Sequence, residues 1–498
     1  MRIKSQKKWS YGWLVLGAVL MYFSNWNWAV PAAAWLFSVF LLRFARNQKI
    51  VAGLLFLCSA CMVVGVASMW KLLAIEAIPP SFRVVSGLAV GVIFFLPFMA
   101  DRLLASKVPG LVATLVFPCS WTGLEFLKSL GGGSWGALAY TQYGNLPLMQ
   151  LAAITGIWGL SFLITWFASI TNFAWERQFA WPKFRKIAIL YAVVITCVFL
   201  YGYGRLAVTD EISEKTCIAS VTNPRDFFSR FYGIDWTDRS AAHEEMQKDI
   251  DYLFDATRSS AQAGAKIVLW QEYAVSVMEE DEDELVARAK KLALQEQIHL
   301  ALAIGLFPLT YPDQPWQNKL IWIDPDGKVI NEYFKLKPAP PLEPIIPGKG
   351  GIPTLDTSTA RIAAVICADL DYPSMIRQAG TDGAEVLLIA AQSWKATDPL
   401  HTYMAVFRAI ENGFSMAMAT GGGLSIAVDP YGRPINTADY FDSTQRQMIS
   451  CLPIKGVETI YSQIGDIFAW LCIAGFFIMS GWGYFIGRSI TDRPLWSH

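Results

Sequence analysis

Two patterns of apolar and polar positions divide the chain. Over residues 1–204, and again near residues 467–487, long runs are apolar on every face and charges fall between them. From about 210 to 460, short β-branched runs alternate with amphipathic stretches. A bilayer core needs about 20 mostly apolar residues per helix. The expected spans are Tyr11–Phe23, Ala29–Leu42, Ile50–Trp70, Ser86–Ala100, Gly110–Leu127, Leu146–Phe173, Ile187–Tyr203 and Ile467–Gly487. The first two are short and Trp-rich and fit a broken or re-entrant pair. The N-terminal run reads as a retained segment, because further long spans follow and no small-residue cleavage site stands out. Gly131-Gly132-Gly133, followed by Trp135, Tyr140 and Tyr143, reads as an interfacial loop with aromatic anchors.

In the polar region, strands are expected at Thr216–Val221, Lys266–Trp270, Leu300–Leu306, Lys319–Ile323, Lys328–Tyr333, Arg361–Ile366, Val386–Ala390, Ser415–Ala419 and Leu424–Val428. Helices are expected near 239–263, 282–297, 373–380 and 399–413. Asp324-Pro325-Asp326-Gly327 and Asp429-Pro430-Tyr431-Gly432 are turns by composition. Strand–helix alternation with added hairpins predicts a mixed α/β layered domain. The domains expected are a membrane domain over 1–204 with about seven transmembrane helices, a catalytic domain over 205–462, and a final transmembrane helix and tail over 463–498.

Charge sharpens this division. The chain balances 41 Lys and Arg against 41 Asp and Glu, yet residues 1–204 carry a net +12 and residues 205–462 a net −12. The polar region has no basic excess, which argues against a nucleic-acid partner. Loops that alternate along the membrane part carry 15 and 3 cations respectively, the 15 including Arg43, Arg46, Arg102, Lys107, Arg177, Arg488 and Arg493. This asymmetry predicts cytoplasmic termini and an outward-facing polar domain.

The eight cysteines do not read as a disulfide framework. Five lie in apolar runs, and only Cys217, Cys367 and Cys451 fall in the polar region. No spacing suits a zinc site. Gly421-Gly422-Gly423 lies between two strands, not before a helix, and reads as a tight bend. Within the spans, Glu125 is the notable charge, either internally paired or functional.

Cys367 directly follows the run Arg361–Ile366, and Pro373 suits the first turn of a helix. A cysteine at such a corner presents its sulfur at a sheet end, where backbone N–H groups can hold a developing oxyanion. The four histidines offer little: His401, the only one near a motif, reads as a helix-surface residue. Another base must therefore activate the thiol. Glu272, two residues past a strand, and Lys335, just after another, put a carboxylate and an ammonium at sheet ends. Each alone also fits a solvated loop charge.

Together, IVLWQEYA, NEYFKLKPAPPLEPIIPG, RIAAVICADLDYPSMIRQAGTDGAEVLLIAAQSW and FRAIENG resemble the nitrilase superfamily with its Glu-Lys-Cys triad. GLEFLKS, WGALAYTQYGNLPLMQLAAITGIWGLSFL and the closing YSQIGDIFAW extend the resemblance to the apolipoprotein N-acyltransferase family. The resemblance implies a polytopic membrane α-helical bundle plus an α/β nitrilase-like four-layer αββα sandwich. It implies a multi-pass protein of the bacterial inner membrane with its catalytic domain in the periplasm. By the same resemblance Glu272 is the general base, Lys335 the lysine of Tyr-x-Lys, with Lys337 a rival, and Cys367 the nucleophile. Glu343 matches a second, supporting glutamate. Trp236 matches a tryptophan near the acyl pocket, and Ala368, Asp369 and Trp394 fall at substrate-binding positions. The implied partners are a phospholipid acyl donor, a diacylated apolipoprotein acceptor and membrane lipids, acting on a monomer. No metal or other cofactor is required. The chain departs from the family pattern at Gln271, where proline is usual, at Ala368 and Asp369, where Tyr and Glu are usual, and at Ala391 and Gln392, where Asn-Asp is common. Met416 and Met418 occupy a stretch that often carries arginine. A membrane-tethered amidase or hydrolase, and an inactive scaffold with this fold, remain open. The Pro-rich run 338–347 reads as a semi-rigid cover or a plain surface loop.

Overall fold

The computed structural model describes residues 2–75, 78–207, 214–236, 238–339, 343–442 and 444–491. It divides into two units: the residues up to Ala207 together with those from Ile464, and the chain between them.

The first unit is helical. Six of its described helices are long and apolar enough to cross a membrane: those within Ile50–Leu72, Pro80–Lys107, Gly110–Gly132, Ile157–Glu176, Trp181–Ala207 and Ile467–Tyr484. Arg2–Tyr22 and Pro31–Asn47 pair with one another and fall short of that measure. Helices Ile50–Leu72 and Pro80–Leu104 touch backbone to backbone. A Cβ on Gly65 would meet the Gly87 carbonyl, and one on Gly91 the Met62 backbone. Small residues permit that approach where lipid supplies no hydrophobic drive for association.

Several expectations change here. Leu146–Phe173 is not one span. Leu146–Met149 and Ala152–Thr155 are short turns, and Gly156 at φ 63° ends them before the long helix Ile157–Glu176 begins. Only glycine takes that left-handed backbone cheaply. Tyr140 is no exposed anchor: it is buried, with its hydroxyl 2.6 Å from Ser134 Oγ. Glu125 is buried and internally paired, accepting from Trp121 Nε1 at 2.7 Å and the Leu138 N–H at 3.0 Å. Arg493 lies outside the described residues.

The second unit holds two stacked sheets. The first contains β1 (Lys215–Val221), β2 (Ile267–Trp270), β3 (Val275–Met278), β4 (His299–Phe307), β5 (Gln317–Ile323), β6 (Val329–Phe334) and β13 (Gln447–Pro453), in the order β13-β1-β2-β4-β5-β6 with β3 also on β4. The second contains β7 (Thr354–Asp356), β8 (Arg361–Ile366), β9 (Val386–Gln392), β10 (Ser415–Gly421), β11 (Leu424–Val428) and β12 (Pro434–Asp439), in the order β12-β11-β10-β9-β8-β7. Parallel β1–β2–β4 and β8–β9–β10 form the two centres. The sheets meet face to face, β1 over β10, β2 over β9 and β5 over β8. Central strands buried on both faces read as near-continuous apolar runs, as β4 and β9 do.

Helices cover the outer faces. Leu253 and Phe254 of Ile250–Gln262, with Leu285, Ala289 and Leu292 of Glu282–Glu296, pack against Val268, Leu300 and Ile321. Glu282, Asp283 and Glu284 occupy the first turn of their helix, where negative charge meets the positive dipole end. Pro373–Thr381 and Leu400–Asn412 pack on the second sheet's side, completing four αββα layers.

Cys217 and Cys451 are joined by a disulfide across the antiparallel β1–β13 pair, where they stand directly opposite. This corrects the reading of the cysteines: their sequence separation of 234 hid a pairing that only the sheet order reveals.

Candidate active site

Four strand ends deliver the charged groups to one place. Glu272 lies just beyond β2, Lys335 just beyond β6, and Cys367 directly after β8. Gln392 closes β9. Lys335 Nζ donates to Glu272 Oε1 at 2.7 Å and to Glu343 Oε2 at 2.5 Å. Glu272 and Lys335 are each only 1% exposed. An ammonium between two carboxylates offsets a burial that neither charge would tolerate alone. Asn318 Nδ2 donates to Glu272 Oε1 at 2.7 Å, and the Gln392 N–H donates to Oε2 at 2.9 Å.

Cys367 sits at φ 44°, a left-handed backbone that a non-glycine residue rarely adopts. That sharp corner turns the chain from β8 into the short 3-10 turn Cys367–Asp371. The thiol donates to the Gln392 carbonyl at 3.5 Å and lies within the electrostatic reach of the Glu272 carboxylate and the Lys335 ammonium.

The electrostatics follow from burial and from this trio. Burial, with Glu272 and Glu343 nearby, pushes the Cys367 thiol well up, so it rests protonated. Burial also raises Glu272, against the pull of Lys335. Lys335 is held cationic by the two carboxylates despite its burial. Glu343 is held below the usual carboxylate range by Lys335, the Tyr273 hydroxyl and the Ala339 N–H, which outweigh its burial. The cluster thus pairs a resting thiol with a carboxylate able to take its proton.

Lys337 is not at this centre; its ammonium lies over the Tyr372 ring at 4.7 Å. Asp369, expected to bind substrate, is committed elsewhere. Its carboxylate accepts from Tyr333 Oη at 2.7 Å, from the Lys337 and Leu336 N–H groups at 2.8 and 3.1 Å, and from the Ile366 N–H at 3.2 Å. It is fully buried, and burial pushes it up to about 7 despite these donors. Its carboxylate therefore ties the Lys335 segment to the Cys367 corner. Ala368 is buried beside Cys367 and has no polar side-chain group to offer. His401, read as a surface residue, is buried with Nε2 at 3.1 Å from Asp371 Oδ1. Residues 340–342 of the Pro-rich run lie outside the described residues.

Tyr273 and Asn318 were missed in the sequence. Tyr273 donates to Glu343 Oε1 at 2.7 Å and accepts from Trp316 Nε1 at 3.1 Å. Trp316 opens onto an aromatic wall: Phe231 lies 5.2 Å away and Phe307 5.4 Å, and Trp236 packs 5.1 Å from Phe307 and 4.4 Å from Tyr311. Trp394, half-buried, faces Phe228 at 6.4 Å. A packed aromatic cluster, with Trp236 half-buried at its edge, therefore adjoins the buried thiol–carboxylate–ammonium centre. No group of three His, Cys, Asp or Glu suited to a metal occurs among the described residues.

Strand ends of a double-sheet sandwich carrying this constellation define a carbon–nitrogen hydrolase-type site. The Carbon-nitrogen hydrolase family model matches residues 230–449, and the model of the Apolipoprotein N-acyltransferase N-terminal domain matches residues 17–170. An apolipoprotein N-acyltransferase of Geobacter metallireducens is 27% identical over 397 residues, 74% of this chain and 73% of that protein. Apolipoprotein N-acyltransferase 2 of Treponema pallidum is 24% identical over 445 residues, 78% of this chain and 79% of that one. An amidase of the nitrilase superfamily from Nesterenkonia AN1 aligns with a TM-score of 0.41 at 20% identity, covering 51% of this chain and 94% of its own. Both parts of the chain thus match apolipoprotein N-acyltransferases, and it is a multi-pass membrane protein.

Proposed function

We propose that this protein is an acyltransferase that moves a fatty acyl chain from a phospholipid to the α-amine of a diacylglyceryl-cysteine on a lipoprotein. The observation that carries this reading is Lys335 bridging Glu272 and Glu343 beside the Cys367 thiol. The match to apolipoprotein N-acyltransferases supplies the substrate class.

In the first half-reaction Glu272 takes the thiol proton as Cys367 Sγ attacks the ester carbonyl of the phospholipid. Lys335 and the backbone N–H of Ala368 stabilise the oxyanion, a role that is typically worth about 3–4 kcal/mol per donor. The tetrahedral adduct collapses, the lysophospholipid alkoxide leaves with the proton from Glu272, and an acyl thioester remains. In the second half-reaction the free amine attacks the thioester carbonyl. Its proton passes to Glu272 and then to the departing thiolate, restoring the start. Glu343 holds Lys335 from the far side, so the ammonium stays aimed at the developing charge. Trp236, half-buried over the core rings of Phe307 and Tyr311, offers an apolar contact to the acyl chain, and Trp394 contributes at the rim.

We further propose that the second unit faces outward, into the periplasm of a bacterium with two membranes. Two features support this. Cations concentrate in one set of membrane loops. The Cys217–Cys451 disulfide suits an oxidising compartment.

The test incubates the full-length protein in detergent with phosphatidylethanolamine alone and records the intact mass. The expected result is one added acyl mass on Cys367, removed by hydroxylamine, and discharged onto a diacylated lipopeptide as an amide. Free fatty acid with no acylated peptide would assign the chain to hydrolysis instead.

A further inference from the structure

Two of the positions that depart from the family pattern, Gln271 and Gln392, touch each other. Gln271 directly follows the first sheet's β2 and Gln392 ends the second sheet's β9; Gln271 Nε2 donates to Gln392 Oε1 at 3.0 Å. Both side chains are buried. Gln271 Oε1 accepts from the Asn223 N–H at 2.9 Å, and Gln392 Nε2 donates to the Ser393 carbonyl at 3.0 Å. The relay therefore starts on a backbone donor and ends on a backbone acceptor. Those fixed polarities set the orientation of each amide, since reversing either would place like groups together.

The peptide groups of Gln392 join the two reacting side chains. Its N–H holds Glu272 Oε2 at 2.9 Å and its carbonyl accepts from the Cys367 thiol at 3.5 Å. Moving residue 392 therefore moves the base and the nucleophile together. Gly421 pairs with Gln392 across β9–β10, and a Cβ there would collide with both Gln271 Nε2 and Gln392 Oε1. The space is shaped for two amides in contact.

We propose that Gln271 and Gln392 form a cross-sheet clasp that positions the Gln392 peptide between base and nucleophile, and so tunes the reactivity of Cys367. This rests on the reading of Glu272 and Cys367 as base and nucleophile. Neither glutamine side chain touches substrate; each is a positioning residue. Losing the N–H donated to Glu272 would leave its carboxylate less stabilised and raise its pKa.

The test is the pH profile of Cys367 alkylation by iodoacetamide, read by peptide mass on the full-length protein in detergent, with no lipid substrate present. Gln271→Met and Gln392→Met keep side-chain length and remove the amides. Gly421→Ala removes no polar group and forces the amides apart. Each is expected to slow alkylation at neutral pH by about 10- to 100-fold and to move the acid limb to higher pH. The double Met variant should be no slower than the slower single variant, because the pair acts as one unit. Should the Met variants fail to fold, Gln271→Asn and Gln392→Asn, each too short to bridge, take their place with the same expected shift. Glu272→Gln, run alongside, must abolish the acid limb. If it does and the glutamine and Gly421 variants keep the parent profile, the clasp is overturned while the triad stands. If Glu272→Gln leaves the parent profile unchanged, both are overturned. Melting curves alone, lowered with an unmoved profile, would mark the amides as merely structural and also overturn the proposal.

Discussion

The Tyr333 hydroxyl donates to Asp369 Oδ2 at 2.7 Å, linking the strand that delivers Lys335 to the turn that carries Cys367. The bond is buried and spans 36 residues of sequence. The same carboxylate also gathers the N–H groups of Leu336 and Lys337. It is therefore the anchor that brings two sheets' worth of active-site residues into register. Asp369→Asn replaces one acceptor by a donor facing these N–H groups. The expected loss is about 1–3 kcal/mol of stability, read by urea unfolding, together with slower thioester formation. Tyr333→Phe should cost about 1 kcal/mol and less activity, because three backbone donors remain on Asp369.

Removing Lys335 sets up a different pH dependence. In Lys335→Met, the Glu272 and Glu343 carboxylates would face each other in a buried site without the ammonium between them. The fold then favours keeping a proton there, so the native state binds more protons than the unfolded chain. Stability must fall as pH rises above the ordinary carboxylate range. The expected destabilisation is about 3–5 kcal/mol at neutral pH and smaller near pH 5. Denaturation at the two pH values measures it; equal losses at both would show that the carboxylates do not interact. Thioester formation should be lost at every pH.

The parent enzyme's own rate should have an acid limb displaced upward. Burial raises Glu272 above its ordinary value of 4.5, so the base is lost to protonation at a higher pH than an exposed carboxylate would be. Single-turnover thioester formation against pH checks this. A limb at or below 4.5 would mean that another group takes the proton.

How much of this was legible in the sequence depends on where the information lies. Arg361–Ile366 and Leu424–Val428 agree with the sequence reading residue for residue, because each is a β-branched run bounded by turn or corner residues. Thr354–Asp356, Pro434–Asp439 and Gln447–Pro453 escaped notice. They are edge strands that bury at most one face, so they carry no continuous apolar run. Val275–Met278 is buried but has only four residues. Glu272, Lys335 and Cys367 could be picked out because each follows a readable strand. Tyr273, Asn318 and the Gln271–Gln392 contact could not, since they depend on which strand ends meet across the sheets. Cys217 and Cys451 were hidden for the same reason: β1 and β13 are neighbours only once the sheet order is known.

The aromatic wall makes a prediction about substrate rather than chemistry. Trp236 is half-buried against Phe307 and Tyr311, leaving part of the indole free for an acyl chain. Trp236→Ala should remove about 1–2 kcal/mol of apolar contact, raising the KM for phospholipid about 10-fold. The alkylation rate of Cys367 by a small electrophile should stay at the parent value, because Trp236 makes no bond to Glu272, Lys335 or Gln392. If thiol alkylation slows as much as acyl transfer, the residue acts through the fold of the site and not on the chain.

The disulfide yields a prediction that joins stability to orientation. Cys217→Ser with Cys451→Ser removes a link closing a sequence separation of 234 between β1 and β13. The expected cost is about 2–5 kcal/mol, measured as a lower unfolding midpoint, with the active-site geometry retained because β1 and β13 carry none of the triad. In intact spheroplasts, a membrane-impermeant reductant followed by an impermeant maleimide should label Cys217 and Cys451 only if the second unit lies outside. Labelling that requires membrane permeabilisation would place that unit in the cytoplasm and reverse the proposed orientation.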